Sequence, residues 1–101
     1  MLHITQLIYL HPGPEAEKSF LEFESMVLPL MSKYGGELLL RIRPGKDQKI
    51  EGSLEPPYEI HIVSFPSEQD LTTYLKDDER LKYLHLKEKA ISAGIIFKGV
   101  S

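Results

Sequence analysis

The sequence has 101 residues, of which 42% are hydrophobic and 27% charged, with a net charge of −3 and no cysteine. These values predict one globular domain over residues 1–101, and they exclude wholesale disorder, disulfide bonds and cysteine-ligated metal sites. The negative charge argues against a nucleic-acid surface, and without a signal peptide or an apolar run near ~20 residues we expect no membrane partner and a cytoplasmic location.

A strand and a long helix are predicted for the first third of the chain. Residues 2–10 alternate loosely and are rich in β-branched and aromatic types, which favours a strand. Pro14 suits a first helical position, and apolar residues then recur at steps of three and four up to Tyr34. Pro29 lies inside this pattern and predicts a kink in a helix over 14–34. Gly35-Gly36 predicts its left-handed end.

Two further strands flank a long connection. Residues 37–43 and 58–65 have strand patterns, and the segment between them, 44–57, is rich in proline and glycine without periodicity. A connection of this length is often a lid or a binding loop. A mobile hairpin tip is the alternative interpretation.

The last third of the sequence predicts an interrupted helix followed by a final strand. Ser67 is the expected N-cap, with Asp70 three residues later as a variant of the capping box. The polar run 76–79 is expected to interrupt the helix, and Gly94 to end its second piece. Residues 95–100 complete the pattern as a fourth strand.

The predicted element order is βαββαβ. Right-handed crossovers are expected to place the first and third strands side by side and parallel, in a four-stranded antiparallel-type sheet with both helices on one face. The prediction is therefore an α+β, ferredoxin-like domain.

The two faces of this sheet differ in polarity. We expect the helices to cover the aliphatic set Leu2, Ile4, Ile8, Leu10, Leu38, Leu40, Ile42, Ile60 and Ile62. The opposite set is apolar at its middle and polar at its ends: His3, Thr5, Leu7, Tyr9, Glu37, Leu39, Arg41, Arg43, Glu59, His61, Val63 and Phe65. Since an apolar patch ringed by polar groups marks an interaction site, we predict a homodimer through this open face.

Three short motifs carry a resemblance to a known superfamily. They are Phe65-Pro66-Ser67, Val27-Leu28-Pro29-Leu30, and Tyr34-Gly35-Gly36 leading into Leu38-Leu39-Leu40-Arg41. Over residues 2–100 the chain resembles the dimeric α+β-barrel superfamily, closest to its small uncharacterised members. The resemblance implies two chains whose sheets close into one barrel, and a cofactor-independent monooxygenase or isomerase. The haem-degrading members use a tryptophan, which this sequence lacks.

Candidate site residues cluster on the third strand. Glu59 and His61 lie roughly 6.5–7 Å apart on one strand face and are the expected catalytic pair. Arg41 or Arg43 would hold an anionic group, and Tyr9 or His3 would line the substrate site. Such a set suits proton transfer or isomerisation of a small carbonyl or enolic compound, so the expected ligand is a small apolar or anionic molecule. The alternative is a set of charge pairs that satisfies polar groups at the dimer interface.

Other candidates are weaker, and two function classes remain open. His11 is expected in a loop, and the helical pair His85 and Glu88 lacks further metal ligands, so no metal or cofactor is predicted. A closed pocket reached by His61, Tyr9 and Arg41 would favour the enzyme. A flat interface that locks these groups in pairs would favour a non-catalytic dimer that binds a small ligand or another protein.

Overall fold

A computed structural model describes residues 1–100 of the chain. The predicted order βαββαβ is confirmed, with the second helical region divided into three short helices. The strands are β1 (Leu2–Leu10), β2 (Glu37–Ile42), β3 (Glu59–Phe65) and β4 (Ile91–Val100). The helices are α1 (Pro14–Val27), α2 (Glu68–Leu75), α3 (Asp78–Leu81) and α4 (Leu84–Ala90), with 3₁₀ segments at Leu28–Tyr34 and Lys46–Gln48.

The sheet has the strand order β2-β3-β1-β4, and every neighbouring pair is antiparallel. The prediction that β1 and β3 are adjacent is confirmed, but the prediction that they are parallel is wrong. The crossover through α1 makes β1 and β2 parallel to each other. The direct return from β2 to β3 then reverses the chain, so β3 runs opposite to both of its neighbours.

Pro29 ends an α-helix instead of kinking it. α1 stops at Val27, and the chain continues as a 3₁₀ segment with Pro29 in its first turn. Proline lacks the N–H that an α-helical bond at this position requires, which explains the change of helix type. The 3₁₀ segment ends at Gly35 with φ of 72°, as the Gly35-Gly36 pair predicted.

Two capping residues mark where the first two helices of the second helical region begin. The Ser67 hydroxyl accepts a hydrogen bond from the backbone N–H of Asp70 at 3.2 Å, which confirms the predicted N-cap. The polar run interrupts the helix as expected, and Asp77 caps α3. The predicted stop at Gly94 is wrong: α4 ends at Ala90, and Gly94 lies within β4 opposite Ile8.

The helices cover a different face of β3 from the one predicted. Val63 and Phe65 are buried in a core with Leu2 and Ile4, and Glu59 and His61 share their strand parity. On this strand the predicted faces are therefore inverted, because two large apolar residues at its carboxyl end fix which side meets the helices. Leu2, Ile4, Ile8 and Leu38 pack on the helix side as predicted, whereas the open face carries Leu7, Leu40, Ile42, Ile60, Ile62, Ile95 and Phe97.

A glycine permits close packing where the 3₁₀ segment turns into β2. A Cβ atom on Gly36 would lie 2.6 Å from the Phe65 ring and 3.0 Å from Cβ of Met31. Gly36→Ala is therefore expected to lower the free energy of unfolding by about 2 kcal/mol, measured by urea denaturation. Gly94→Ala is the control, because its Cβ would meet only the Leu7 carbonyl at an ordinary 3.9 Å. Equal stability of the two variants would contradict the prediction.

Among residues 1–100, no helix is both long and apolar enough to cross a membrane.

Candidate functional site

A bulge in β2 brings two arginines beneath the helices. Leu38 pairs with Val63 and Leu40 with Ile62, so the register shifts by one residue around Leu39. Arg41 consequently pairs with His61 on the helix side of the sheet. An extra residue in one strand redirects the side chains that follow it, and here the bulge places a guanidinium next to Glu59.

Glu59 is the buried centre of a charged cluster whose two arginine side chains are partly exposed, by 31% for Arg41 and 50% for Arg43. Its side chain is 1% exposed, and its carboxylate accepts hydrogen bonds from Arg41 Nε at 2.5 Å and Arg43 Nε at 2.8 Å. His61 Nε2 lies 2.5 Å from Glu59 Oε1, with the His61 side chain 3% exposed. A buried carboxylate requires such partners, because an unpaired one would lose several kcal/mol of hydration.

The protonation states of this cluster follow from burial and hydrogen bonding. Burial alone would raise the pKa of Glu59, but the hydrogen bonds from Arg41, His61 and Arg43 together hold that pKa below its ordinary value. Burial lowers the pKa of His61 and outweighs the opposing influence of Glu59. At neutral pH the carboxylate is therefore ionised and the imidazole neutral. Nε2 then carries the proton donated to Glu59, and Nδ1 is left as the basic nitrogen.

His61 also lines a cavity of about 270 Å³ between the sheet and the helices. Most of the wall is apolar, with contributions from Ile4, Phe23, Val27, Met31, Val63, Phe65 and Leu71. Its outer lining residues Leu75 and Ile96 are exposed, which places the mouth between α2 and β4. Since an apolar cavity of about 150 Å³ accommodates benzene, this one admits a small cyclic molecule.

Glu24 of α1 lines the same cavity and was missed by the sequence analysis. It is 5% exposed, and burial raises its pKa to about 7, with Arg41 as the main opposing charge. Its neighbours along α1, Phe23 and Val27, belong to the buried stripe. A carboxylate inside an apolar helical stripe was the signal that could have identified it.

Two basic residues complete the polar part of the wall, and the sequence analysis missed these as well. Arg80 of α3 is 8% exposed, and Lys87 of α4 is half-buried. Burial, and then the nearby charge of Arg80, lower the pKa of Lys87. Anionic partners for them in the cavity are few, since Glu24 is the lining carboxylate and it titrates near neutrality.

The remaining predicted site residues lie elsewhere. The Tyr9 hydroxyl donates a hydrogen bond to the Glu55 carbonyl at 2.9 Å, and His3 pairs with Ser64 at a strand position of the opposite parity. Neither lines the cavity, and Arg41 and Arg43 lie behind Glu59 rather than in the wall. The connection 44–57 contributes no residue to this cavity, although its Pro56 lines a separate open groove with Tyr9 and Tyr58, so the lid interpretation stays a prediction.

A second concavity lies outside this site. A wider groove of about 570 Å³ is open to solvent and polar, and it includes Lys33, Tyr34 and Asp77. Asp77 is already bound by Lys33 at 2.8 Å and by the Tyr34 hydroxyl, and it caps α3. These groups hold the 3₁₀ segment against the second helical region, so the groove has a structural explanation.

Within residues 1–100, no three His, Cys, Asp or Glu side chains are grouped so that they could hold a metal ion.

Comparisons with solved structures find the same architecture at low sequence identity. A protein of unknown function from Rhodopseudomonas palustris superimposes with a TM-score of 0.83 at 14% identity, covering 97% of this chain and 79% of that chain. A dimeric Bacteroides fragilis protein of unknown function with a ferredoxin-like fold gives a TM-score of 0.65 at 10% identity, over 99% and 95% of the two chains. The chain has a ferredoxin-like fold.

A DABB family protein with a ferredoxin-like fold from Mesorhizobium loti gives a TM-score of 0.67 at 10% identity, over 99% of this chain and 95% of that chain. These likenesses confirm the predicted ferredoxin-like fold. Neither a scan of protein-family models nor a search of curated proteins finds a match to the chain. At such identities the likeness carries the fold and not the activity.

Proposed function

We propose that this protein is a cofactor-independent enzyme that transfers protons on a small molecule bound between the sheet and the helices. The observation that carries the proposal is a buried, neutral histidine, His61, which lines a ligand-sized cavity and is backed by the ionised carboxylate of Glu59. A neutral imidazole that a carboxylate holds in one tautomer is an arrangement suited to general-base catalysis.

Glu24 supplies the second half of the proposed chemistry. With a pKa of about 7, its carboxyl group is about half protonated at neutral pH and increasingly so below it, and the protonated form can return a proton to a substrate in the same cavity. A base and an acid on one cavity wall suit isomerisation of an enolisable carbonyl compound. A cofactor-independent monooxygenase would begin with the same removal of a proton by His61.

Arg41 and Arg43 act on Glu59 in this proposal, rather than on the substrate. Both guanidinium groups donate to the Glu59 carboxylate, and the Arg43 guanidinium also lies 5.0 Å from the centre of the Tyr58 ring. They keep Glu59 ionised, which keeps the imidazole of His61 in the tautomer whose Nδ1 accepts a proton. They are positioning residues.

Proton exchange tests the proposal with a panel of model compounds. Small cyclic keto acids, enones and β-dicarbonyl compounds are incubated with the protein in D₂O, and loss of the acidic C–H signals is followed by NMR. Acceleration of exchange for at least one compound supports the enzyme. Compounds that bind in the cavity without faster exchange would favour the non-catalytic ligand-binding alternative.

We also propose that the protein forms a homodimer through the open face of the sheet. Seven large aliphatic and aromatic residues share this face, and Leu40, Ile42 and Phe97 are each more than 40% exposed in one chain. A second copy is the occupant best matched to such a patch, since an isologous pair buries the same face twice. The Bacteroides fragilis relative with this fold is a dimeric protein, which supports the proposal.

A charge at the centre of this face is expected to weaken the dimer. Ile62 lies on β3 between Thr5 of β1 and Leu40 of β2, so Ile62→Glu would bury two carboxylates in the interface. We expect the dimer dissociation constant, measured by sedimentation equilibrium, to rise at least tenfold. Ile50→Glu is the control, because Ile50 is 99% exposed in the connection before β3. A wild-type monomer at micromolar concentration would contradict the proposal.

The cytoplasmic location and the single-domain extent over 1–101 stay predictions.

A further inference from the structure

Arg80 is a buried cation that forms no ion pair within residues 1–100. Its side chain is enclosed between two aromatic rings, with the guanidinium carbon 5.8 Å from the centre of Phe23 and 5.2 Å from that of Tyr74. Arg80 Nη1 donates to the Leu75 carbonyl at 3.3 Å, and within residues 1–100 no ion pair includes Arg80. Its Nε is buried without a hydrogen-bond partner.

Among the described residues, this arrangement leaves the Nε–H of Arg80 without a hydrogen-bond acceptor and its guanidinium without an ion-pair partner. An arginine does not lose its proton inside a protein, so its positive charge persists when it is buried. The two rings compensate part of the lost hydration through cation–π attraction, but they supply no anionic acceptor for the guanidinium. An anion beside Arg80 would supply both the missing charge and an acceptor.

The surroundings place that anion in the cavity. Arg80 and Lys87 both line its wall, whereas the third lining cation, Lys98, already pairs with Glu68 at 2.8 Å. The remaining wall is mainly apolar, and its one carboxylate, Glu24, forms no ion pair with either cation and has its pKa raised to about 7 by burial. A ligand that fits must therefore combine one anionic group with a compact apolar body.

We propose that Arg80 and Lys87 form the anion subsite of the cavity, and that the ligand is a small cyclic organic carboxylate. A carboxylate can accept two parallel hydrogen bonds from the guanidinium of Arg80, and the ammonium group of Lys87 adds a second positive charge nearby. The sequence analysis gave the anion-binding role to Arg41 and Arg43, but both of these already bind Glu59. In this proposal Arg80 of α3 and Lys87 of α4 bind the anion instead. The inference deepens the proposed function by naming the substrate class, although it requires only that the cavity binds ligands.

Binding of benzoate and benzamide tests the subsite independently of turnover. The two probes share size and shape and differ in charge, and their dissociation constants are measured by NMR titration of the wild-type protein. We expect benzoate to bind at least tenfold more tightly than benzamide and to shift the Arg80 Nε–H signal. Inorganic phosphate, which lacks the apolar body, is expected to bind more weakly than benzoate.

Variants assign the preference to the two cations. Arg80→Gln is expected to remove the at least tenfold preference for benzoate, and Lys87→Gln to reduce it severalfold. Lys87→Gln also keeps the test decisive if Arg80→Gln does not fold. Lys82→Gln is the matched control, because Lys82 is exposed beside α3 and pairs with Glu79. The preference for benzoate should survive in it.

The possible failures of the two proposals are distinguishable. Equal binding of benzoate and benzamide, or tightest binding of phosphate, would overturn the carboxylate subsite while leaving proton exchange on neutral compounds open. No binding of benzoate to the wild-type protein would also overturn it. Tight benzoate binding without proton exchange on any compound would support the subsite and overturn the enzyme.

Discussion

His61→Gln is expected to slow proton exchange on any active compound of the panel by about 10²–10⁴-fold, the usual contribution of a general base. Glutamine keeps a donor for the Glu59 carboxylate, which otherwise would lose one of its three partners. It has no basic nitrogen. The rate constant for exchange should therefore fall while the midpoint of thermal unfolding changes little.

A second histidine variant separates catalysis from general effects of substitution. His85 is exposed on α4, outside the residues that line the cavity, so His85→Gln should exchange at the wild-type rate. Undiminished exchange in His61→Gln would refute the role of His61. Equal losses in both histidine variants would point to contaminating activity or to damage to the protein.

The pH dependence of proton exchange tests the proposed roles of His61 as base and Glu24 as acid. Burial lowers the pKa of His61, so the basic form of the imidazole persists below its ordinary value of about 6.5. Glu24 must be protonated to act as the acid, and its pKa of about 7 limits that form on the alkaline side. The rate should consequently be greatest on the acid side of pH 7 and fall above it.

Local chemistry accounts for the parts of the fold that the sequence predicted well. The Ser67 cap and the left-handed Gly35 depend on a few neighbouring residues, and such signals survive in any tertiary context. The extent of β1 follows in the same way from its composition. The split of the first helix at Pro29 was predicted as a kink, because the alternative of a 3₁₀ continuation depends on how the segment packs.

Predicting which face of the sheet the helices cover required contacts between residues far apart in the sequence. Both parities of β3 carry apolar residues, and burying Glu59 and His61 looks unfavourable until Arg41 and Arg43 are known to reach them. The bulge that makes this contact lies inside the uniform run Leu38-Leu39-Leu40, where no glycine or polar residue marks it. Sequence reasoning therefore brought Arg41 and Arg43 correctly to Glu59 and His61, but on the wrong side of the sheet. It was wrong to place His3 and Tyr9 beside them, since Gln6 and Ile8 hold those positions on β1.

The cavity residues contributed by the helices were harder to recognise for a related reason. Arg80 follows a run of acidic residues, which is typical of a solvated surface, and it is buried only because α3 turns it between Phe23 and Tyr74. Glu24 is one carboxylate among several in α1. Only their burial in a shared cavity distinguishes them from surface charges, and burial of this kind follows from tertiary packing.

Glu24→Gln is expected to stabilise the protein at pH 8 by about 3 kcal/mol relative to wild type, and to have little effect near pH 4. The pKa of Glu24 is raised from 4.5 to about 7 in the folded chain. Between these values the folded state binds more protons than the unfolded state, so stability falls as the pH rises towards 7. At about 1.4 kcal/mol per pKa unit, the loss amounts to roughly 3 kcal/mol, and glutamine removes it.

Urea denaturation at pH 4, 6 and 8 measures this difference directly, because all other titrating groups are shared by the two proteins. Glu22→Gln on the exposed side of α1 is the matched control and should follow the wild-type curve at each pH. If the free energy of unfolding changed with pH in the same way for Glu24→Gln and wild type, Glu24 would be hydrated and its pKa would not be raised. A stabilised variant that also loses proton exchange would show that this buried carboxyl group is retained for function at the expense of stability.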